Sequence, residues 1–240
     1  MLRACIAGLA AVLLAAGPAS AQTGINLSWD DCGTFGTAAK MFACDANGDS
    51  SILVGSFSVP YPQASCIVGV TSILDLQVSG SSVPDWWMFK NAGSCRQTSL
   101  RASGDFWGGP QSCFDWNGGC GLVWMAYDVG QGGANRARIT VMIAMPCTWC
   151  LPAPVSAEIY AFRLILRHDR TVGTGVCAGC QEGVCIVLNS VRPVNAGGDL
   201  GEISVPLERN YVTWQDGTPA CPAAVPVRAK TWGAVKALYR

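Results

Sequence analysis

Two glycine-rich loops carry the residue types that bind sugars. Trp107 lies in the segment Asp105-Phe-Trp-Gly-Gly, and Trp116 lies in Asp115-Trp-Asn-Gly-Gly. An exposed indole can stack on the apolar face of a sugar ring, and a nearby carboxylate can accept hydrogen bonds from its hydroxyl groups. Trp87, one of two adjacent tryptophans that would face opposite sides of a strand, is the third candidate. Packing in the core explains the same rings, so both interpretations stay open.

One segment resembles the start of a calcium loop. Asp45, Asn47 and Asp49 place oxygen ligands at alternate positions. The second half departs from that pattern, because Ser50 replaces the turn glycine and Ser56 stands where a bidentate carboxylate is expected. A polar turn explains the same residues. We therefore expect no metal and no cofactor, with Ca²⁺ as the ion that this segment would take if it took one.

Motifs for nucleophilic catalysis are absent. His168 is the only histidine, which excludes most histidine-based triads, and its place at a strand end predicts an exposed turn residue. No serine lies in Gly-x-Ser-x-Gly, and no glycine-rich phosphate loop follows a strand. Paired carboxylates could perform glycoside hydrolysis, although only the fold sets the distance between them. The candidates are Asp30, Asp31, Asp105, Asp115 and Glu158. The sequence favours a protein that is not an enzyme, and a carboxylate-based hydrolase is the weakest alternative.

The N-terminus has the features of a secretory signal peptide at residues 1–21. A basic start precedes an apolar run from Ile6 to Ala16, and Ala19 and Ala21 form the small-residue exit. Removal of this leader takes away Cys5 and leaves twelve of the 13 cysteines, an even number suited to an oxidising compartment. We expect a secreted, extracellular or periplasmic protein.

The twelve remaining cysteines are predicted to form structural disulfides. Two Cys-x-x-Cys units could instead share a zinc ion or act as redox dithiols, but export favours disulfides. Disulfides that close short loops are predicted between Cys32 and Cys44, Cys113 and Cys120, and Cys147 and Cys150. The other candidates are Cys66, Cys95, Cys177, Cys180, Cys185 and Cys221.

Short alternating apolar runs, broken by turn residues, predict an all-β fold. The clearest strands cover 66–79, 134–145 and 158–168, and shorter ones are predicted at 25–29, 51–59, 86–90, 121–127, 184–194 and 211–214. Without intervening helices, they indicate one disulfide-stapled antiparallel β-sandwich of jelly-roll type over residues 22–240. A short C-terminal helix is predicted at about 232–239, with Thr231 as its cap.

Composition excludes several classes of partner. Only 13% of the residues are charged, the formal net charge is zero, and no block of like charge occurs. Nucleic acid and anionic lipid are therefore poor partners, since both require a concentrated basic surface. No apolar run after the leader approaches the length of about 18 residues that a membrane-spanning helix needs.

Three segments resemble a group of secreted bacterial proteins of unknown function. They are Gly-Ile-Asn-Leu-Ser-Trp-Asp-Asp-Cys-Gly at 24–33, Cys-Ile-Val-Leu-Asn-Ser-Val at 185–191, and Tyr-Val-Thr-Trp-Gln-Asp-Gly at 211–217 running on to 231–240. This resemblance implies a bacterial exported protein and brings no catalytic residues. The alternating strands are also loosely similar to cohesin-type and carbohydrate-binding sandwiches, which is a likeness of fold alone.

These observations predict a secreted, non-catalytic binding or surface module. Its partner would be an extracellular glycan or a surface protein, and the glycan is the sharper prediction. The alternative is a structural envelope or assembly subunit that packs against copies of itself.

Overall fold

The structure is a computed structural model that describes residues 22–60, 63–106, 112–145, 151–154, 157–218 and 221. Strands dominate these ranges: β1 (Gly24–Trp29), β2 (Ala39–Lys40), β3 (Ser50–Ser58), β4 (Ile67–Val78), β5 (Leu100–Ser103), β6 (Leu122–Val129), β7 (Arg136–Ala144), β8 (Ile159–Arg167), β9 (Val184–Asn195), β10 (Gly198–Asp199) and β11 (Tyr211–Trp214). Two 3-10 helices occupy Gly33–Phe35 and Asp85–Trp87. The predicted signal peptide and the predicted helix at 232–239 lie outside the described residues.

The strands form two sheets that enclose a common core. The four-stranded sheet has the order β1-β3-β8-β5, and the seven-stranded sheet has the order β2-β11-β9-β4-β7-β6 with β10 paired to β9. Every pair within them is antiparallel except β2 with β11. The predicted β-sandwich is confirmed.

Alternation of side chains explains why these segments form strands. Along β7, Ile139, Val141 and Ile143 are buried between the sheets, whereas Arg138 is half-buried and Met142 is exposed on the outer face. Successive strand residues point to opposite faces, so one buried face leaves the other to solvent. The strand predicted at 134–145 is confirmed.

A buried arginine joins the loop before β5 to the end of β8. The Arg96 guanidinium lies 3.5 Å from the Trp86 ring centroid, and its Nη1 donates to the Trp86 carbonyl at 2.5 Å. Its Nη2 donates to the Arg167 carbonyl. Burial lowers the pKa of Arg96 to about 9, against a smaller opposing effect of Asp169.

One predicted strand is wrong, and three short strands, β2, β5 and β10, were not predicted. Residues 86–90 do not form a strand, because the chain turns through the 3-10 helix Asp85–Trp87 and buries both Trp86 and Trp87. The unpredicted β5 is only four residues long and alternates too briefly to give a pattern. Among the described residues, no helix has the length and apolar character to cross a membrane.

Long-range disulfides replace two of the predicted local ones. The bonds are Cys32–Cys113, Cys44–Cys180, Cys95–Cys177 and Cys185–Cys221. Cys66 and Cys120 are also disulfide-bonded. The predictions of Cys32–Cys44 and Cys113–Cys120 are therefore wrong, because the sandwich gathers loops that are distant in sequence. Cys147–Cys150 lies outside the described residues. Four disulfides indicate an oxidising compartment.

Candidate binding surfaces

Two of the three predicted sugar-stacking tryptophans are in the core. Trp87 packs edge-to-face against Trp214, with ring centroids 5.6 Å apart. Trp116 is buried and donates from Nε1 to the Tyr160 carbonyl at 2.9 Å. A ring without an exposed face cannot stack on a sugar, so the exposure expected of these two residues is corrected in favour of core packing. Trp107 lies outside the described residues.

The two aspartates predicted beside that platform lie in the loops around Trp116. One Asp115 carboxylate oxygen accepts hydrogen bonds from the backbone N–H groups of Asn117 and Gly118, both at 3.0 Å. This contact stabilises the turn after Trp116. Asp105 is exposed, and its backbone N–H donates to the Ser103 hydroxyl at 3.1 Å.

The segment predicted as a calcium loop contacts a neighbouring loop. The Asn47 side-chain oxygen accepts from the backbone N–H groups of Thr171 at 2.8 Å and Val172 at 3.0 Å. Asp45 and Asp49 are exposed on the same segment. Within the described ranges, no three His, Cys, Asp or Glu side chains lie close enough together to hold a metal ion. Calcium binding stays a prediction, while the Asn47 contacts account for the segment as a turn.

His168 is buried, so its predicted exposure is wrong. Phe42 covers the imidazole at a ring-centroid distance of 3.9 Å, and Nε2 lies 3.0 Å from the Ser51 hydroxyl. Burial lowers the pKa of His168, and the positive charge of Arg96 lowers it further. Because Ser51 is also buried, this pair has no face on which a substrate could bind.

Two of the acidic residues considered for hydrolysis, Glu158 and Asp31, accept hydrogen bonds from neighbouring strands and loops. Glu158 Oε1 accepts from Asn26 Nδ2 at 2.7 Å and from the Ser56 hydroxyl at 2.6 Å. Asp31 accepts from the Ser112 hydroxyl at 2.8 Å and from the Cys32 backbone N–H at 2.7 Å. Their hydrogen bonds give both carboxylates a structural role.

The seven-stranded sheet ends in an edge strand with an apolar outer face. Strand β6 pairs with β7 over all eight of its residues without a bulge, and places Leu122 opposite Ala144 and Trp124 opposite Met142. Leu122 is 64% exposed, Trp124 56% and Met142 45%. Ala144 is also exposed. We name the continuous surface formed by these four side chains the apolar strip (Leu122, Trp124, Met142 and Ala144). The opposite face of β6 packs into the core through Val123, Met125 and Tyr127.

The other sheet edges are short or covered. Strand β2 has two residues, and β5 has four and carries the exposed Arg101. Strand β1 is covered by residues 205–209, since the N–H groups of Ile25 and Leu27 donate to the carbonyls of Val205 and Arg209 at 2.9 and 2.8 Å. Natural sheets protect their edges in these ways. Among the described residues, β6 has only β7 as a strand partner and lacks lysine, proline and bulges.

Sequence reasoning located β6 but not the importance of its outer face. Leu122 and Trp124 alternate with Val123 and Met125, so the segment is apolar on both faces. Such a pattern is typical of a strand buried on both sides. Only the strand order shows that β6 is an edge and that one of its apolar faces is exposed.

No protein-family model and no curated protein matches the chain. A chain of a type I cohesin–dockerin complex from Clostridium thermocellum is 11% identical, and the match covers 80% of this chain and 97% of that one with a TM-score of 0.34. The second type II cohesin module of the ScaA scaffoldin from Acetivibrio cellulolyticus is 8% identical, covering 82% and 98%, with a TM-score of 0.35. The loose likeness of fold to cohesin-type sandwiches is confirmed, and values this low say nothing about partner or ligand.

Proposed function

We propose that this protein is an exported, non-catalytic assembly module that pairs with a second copy of itself through β6. The observation that carries the proposal is an eight-residue edge strand that carries the apolar strip and has β7 as its one strand partner among the described residues. Every second residue of an edge strand directs its backbone N–H and C=O away from the sheet. Those groups can pair with a strand of another chain, and the apolar side chains beside them add contact area.

Strand β6 is suited to pair with β6 of a second copy of the protein. Facing residues of an antiparallel pair lie on the same side of the sheet, so Leu122, Trp124 and Ala126 of one copy would meet the same residues of the other. Asp128 is the one charged residue of β6, which leaves little like-charge repulsion between two copies. An antiparallel pair of identical strands has two-fold symmetry and closes on itself as a dimer.

The absence of catalysis is supported by the contacts of the groups that could perform it. Phe42 covers His168, which contacts the buried Ser51. The carboxylates of Glu158 and Asp31 accept hydrogen bonds from Ser56 of β3 and from Ser112. Export is supported by the disulfides, which persist in oxidising compartments.

The test is sedimentation velocity over a wide range of protein concentration, with the Trp124→Lys variant. We expect the mature protein to form a dimer and Trp124→Lys to weaken it at least about tenfold, because loss of a central aromatic side chain costs about 2 kcal/mol or more of binding energy. The exposed side chain of Trp124 makes the variant compatible with folding, which thermal unfolding would check.

Phe35→Lys provides the matched control. Phe35 is 73% exposed, aromatic and away from β6, in the 3-10 helix Gly33–Phe35. It should leave the dimer unchanged. A protein that stays monomeric at every concentration would overturn the proposal, as would equal weakening by the two variants.

A further inference from the structure

The outer face of the four-stranded sheet carries three arginines. Arg101 lies on β5 directly opposite Ile165 of β8, and Arg163 and Arg167 flank Ile165 along β8. Residues directly opposite and residues two apart on one strand lie on the same side of a sheet, so the three side chains share one face. Each β8 arginine occupies a diagonal position relative to Arg101, at a Cα separation of about 7–8 Å.

Two of these arginines lack a carboxylate partner. Arg167 pairs with Asp169 at 3.1 Å, but neither Arg101 nor Arg163 forms a salt bridge with any residue that the structure describes. Arg163 is half-buried, and its Nε is shielded from solvent without a hydrogen-bond partner. Like charges at neighbouring positions destabilise a sheet, and an unsatisfied N–H adds to the cost. An anion bound between the guanidinium groups would relieve the repulsion between their charges.

The side chains between the arginines are apolar. Ile52 on β3 lies opposite Ile165 on β8, and both side chains are half-exposed. Guanidinium groups bind carboxylate and sulfate with two parallel hydrogen bonds, which favours anions of that geometry. Arginines spread along a sheet face suit an extended polymer, because separate guanidinium groups can contact successive acidic units.

We propose that this surface, which we name the arginine face (Arg101, Arg163, Arg167, Ile52 and Ile165), binds an acidic polysaccharide. The isoleucines would contact the apolar faces of sugar rings while the arginines bind carboxylate or sulfate groups on those rings. Nucleic acid fits less well, because the face has no aromatic side chain for base stacking and only two unpaired cations. This site is separate from β6 and from the buried Trp87 and Trp116.

Affinity electrophoresis of the native, disulfide-bonded protein tests the proposal. Gels would contain polygalacturonate, dextran sulfate or neutral dextran, and each lane would be compared with a gel without polymer. We expect retardation by at least one acidic polymer and none by dextran. The double variant Arg101→Gln/Arg163→Gln should bind at least about tenfold more weakly, which corresponds to about 1.4 kcal/mol.

Arg136→Gln is the matched control, since Arg136 lies on β7 of the other sheet and has no salt bridge among the described residues. Arg101→Gln alone changes an exposed side chain and serves if the double variant fails to fold. Three results would overturn the proposal: no retardation by either acidic polymer, equal loss of binding in Arg136→Gln, or retardation by duplex DNA as strong as that by the polysaccharides.

Discussion

The edge strands β5 and β6 end their sheets in opposite ways. Strand β5 has four residues and carries Arg101 on its outer face, whereas β6 has eight residues and carries Leu122 and Trp124 there. Both strands bury their inner residues in the same core. The contrast shows that the exposed apolar strip does not follow from a general shortage of charge, because the same chain gathers three arginines on the neighbouring sheet. The two outer faces therefore suit different partners.

The largest expected effect is a difference in folding stability between substitutions on the inner and outer faces of β7. Ile143→Ala should lower the free energy of unfolding by about 2–5 kcal/mol, because it removes a side chain buried between the sheets. Met142→Ala, one residue away on the outer face, should change it by about 0.5 kcal/mol or less. Urea denaturation of the oxidised protein measures both. Equal losses would mean that Met142 is covered by another part of the folded chain and is not available to a partner.

Salt should distinguish the two proposed interactions. Binding of dextran sulfate at the arginine face should weaken severalfold between low and high sodium chloride, because charge–charge attraction is screened and counterions are displaced. Dimerisation through the apolar strip should change about twofold or less, since burial of apolar surface involves no net charge. Affinity electrophoresis and sedimentation equilibrium at matched salt concentrations give the two responses. A dimer that dissociates in salt as steeply as the polymer complex would contradict an apolar interface.

A smaller effect is the pH dependence of folding stability, which His168 contributes at the end of the four-stranded sheet. His168 follows β8 and contacts Ser51 of β3, so it belongs to the four-stranded sheet. Its pKa lies below the ordinary value of 6.5, mainly because burial disfavours the charged ring. The unfolded chain therefore binds the proton more readily. The stability contributed by the neutral ring is fully present above about pH 6.5 and is lost as the pH falls through the lowered pKa.

The variant His168→Gln isolates that effect, because glutamine can still hydrogen-bond Ser51 but does not titrate. Denaturation at about pH 8 and about pH 5, the range in which histidine changes charge, should give a smaller acid-induced loss in the variant than in the native protein. Carboxylates titrate in both proteins and cancel in the difference. Identical acid losses would show that His168 does not contribute to the pH dependence.

The strands were predictable where alternation runs long enough. Residues 66–79, 134–145 and 158–168 were located to within two residues of β4, β7 and β8. The strand predicted at 86–90 was wrong because Trp86 and Trp87 both have high strand propensity. In the structure, the chain after Pro84 forms a 3-10 turn that buries both side chains. Local composition could not show which tertiary contacts would prevail.

The candidate surfaces were much less predictable, because each joins residues that are distant in sequence. Arg101 and Arg163 are unremarkable single charges until β5 pairs with β8. Trp124 becomes exposed only because no described strand follows β6 in the sheet. The disulfides follow the same rule, since Cys44 and Cys180 meet across 136 residues. The order of strands in the sheets determines which distant residues meet, and the periodic pattern of one segment does not show that order.

The disulfides also determine how the chain responds to a protease. Cys44–Cys180 and Cys32–Cys113 together span every peptide bond from Cys32 to Cys180, and Cys185–Cys221 spans the bonds from Cys185 to Cys221. By the four defined bridges alone, a single cut in either stretch leaves one covalent molecule and releases no fragment. These four bridges do not enclose the segment between Cys180 and Cys185 or the residues before Cys32 and after Cys221. A nicked molecule would therefore keep both sheets attached until its bridges are reduced.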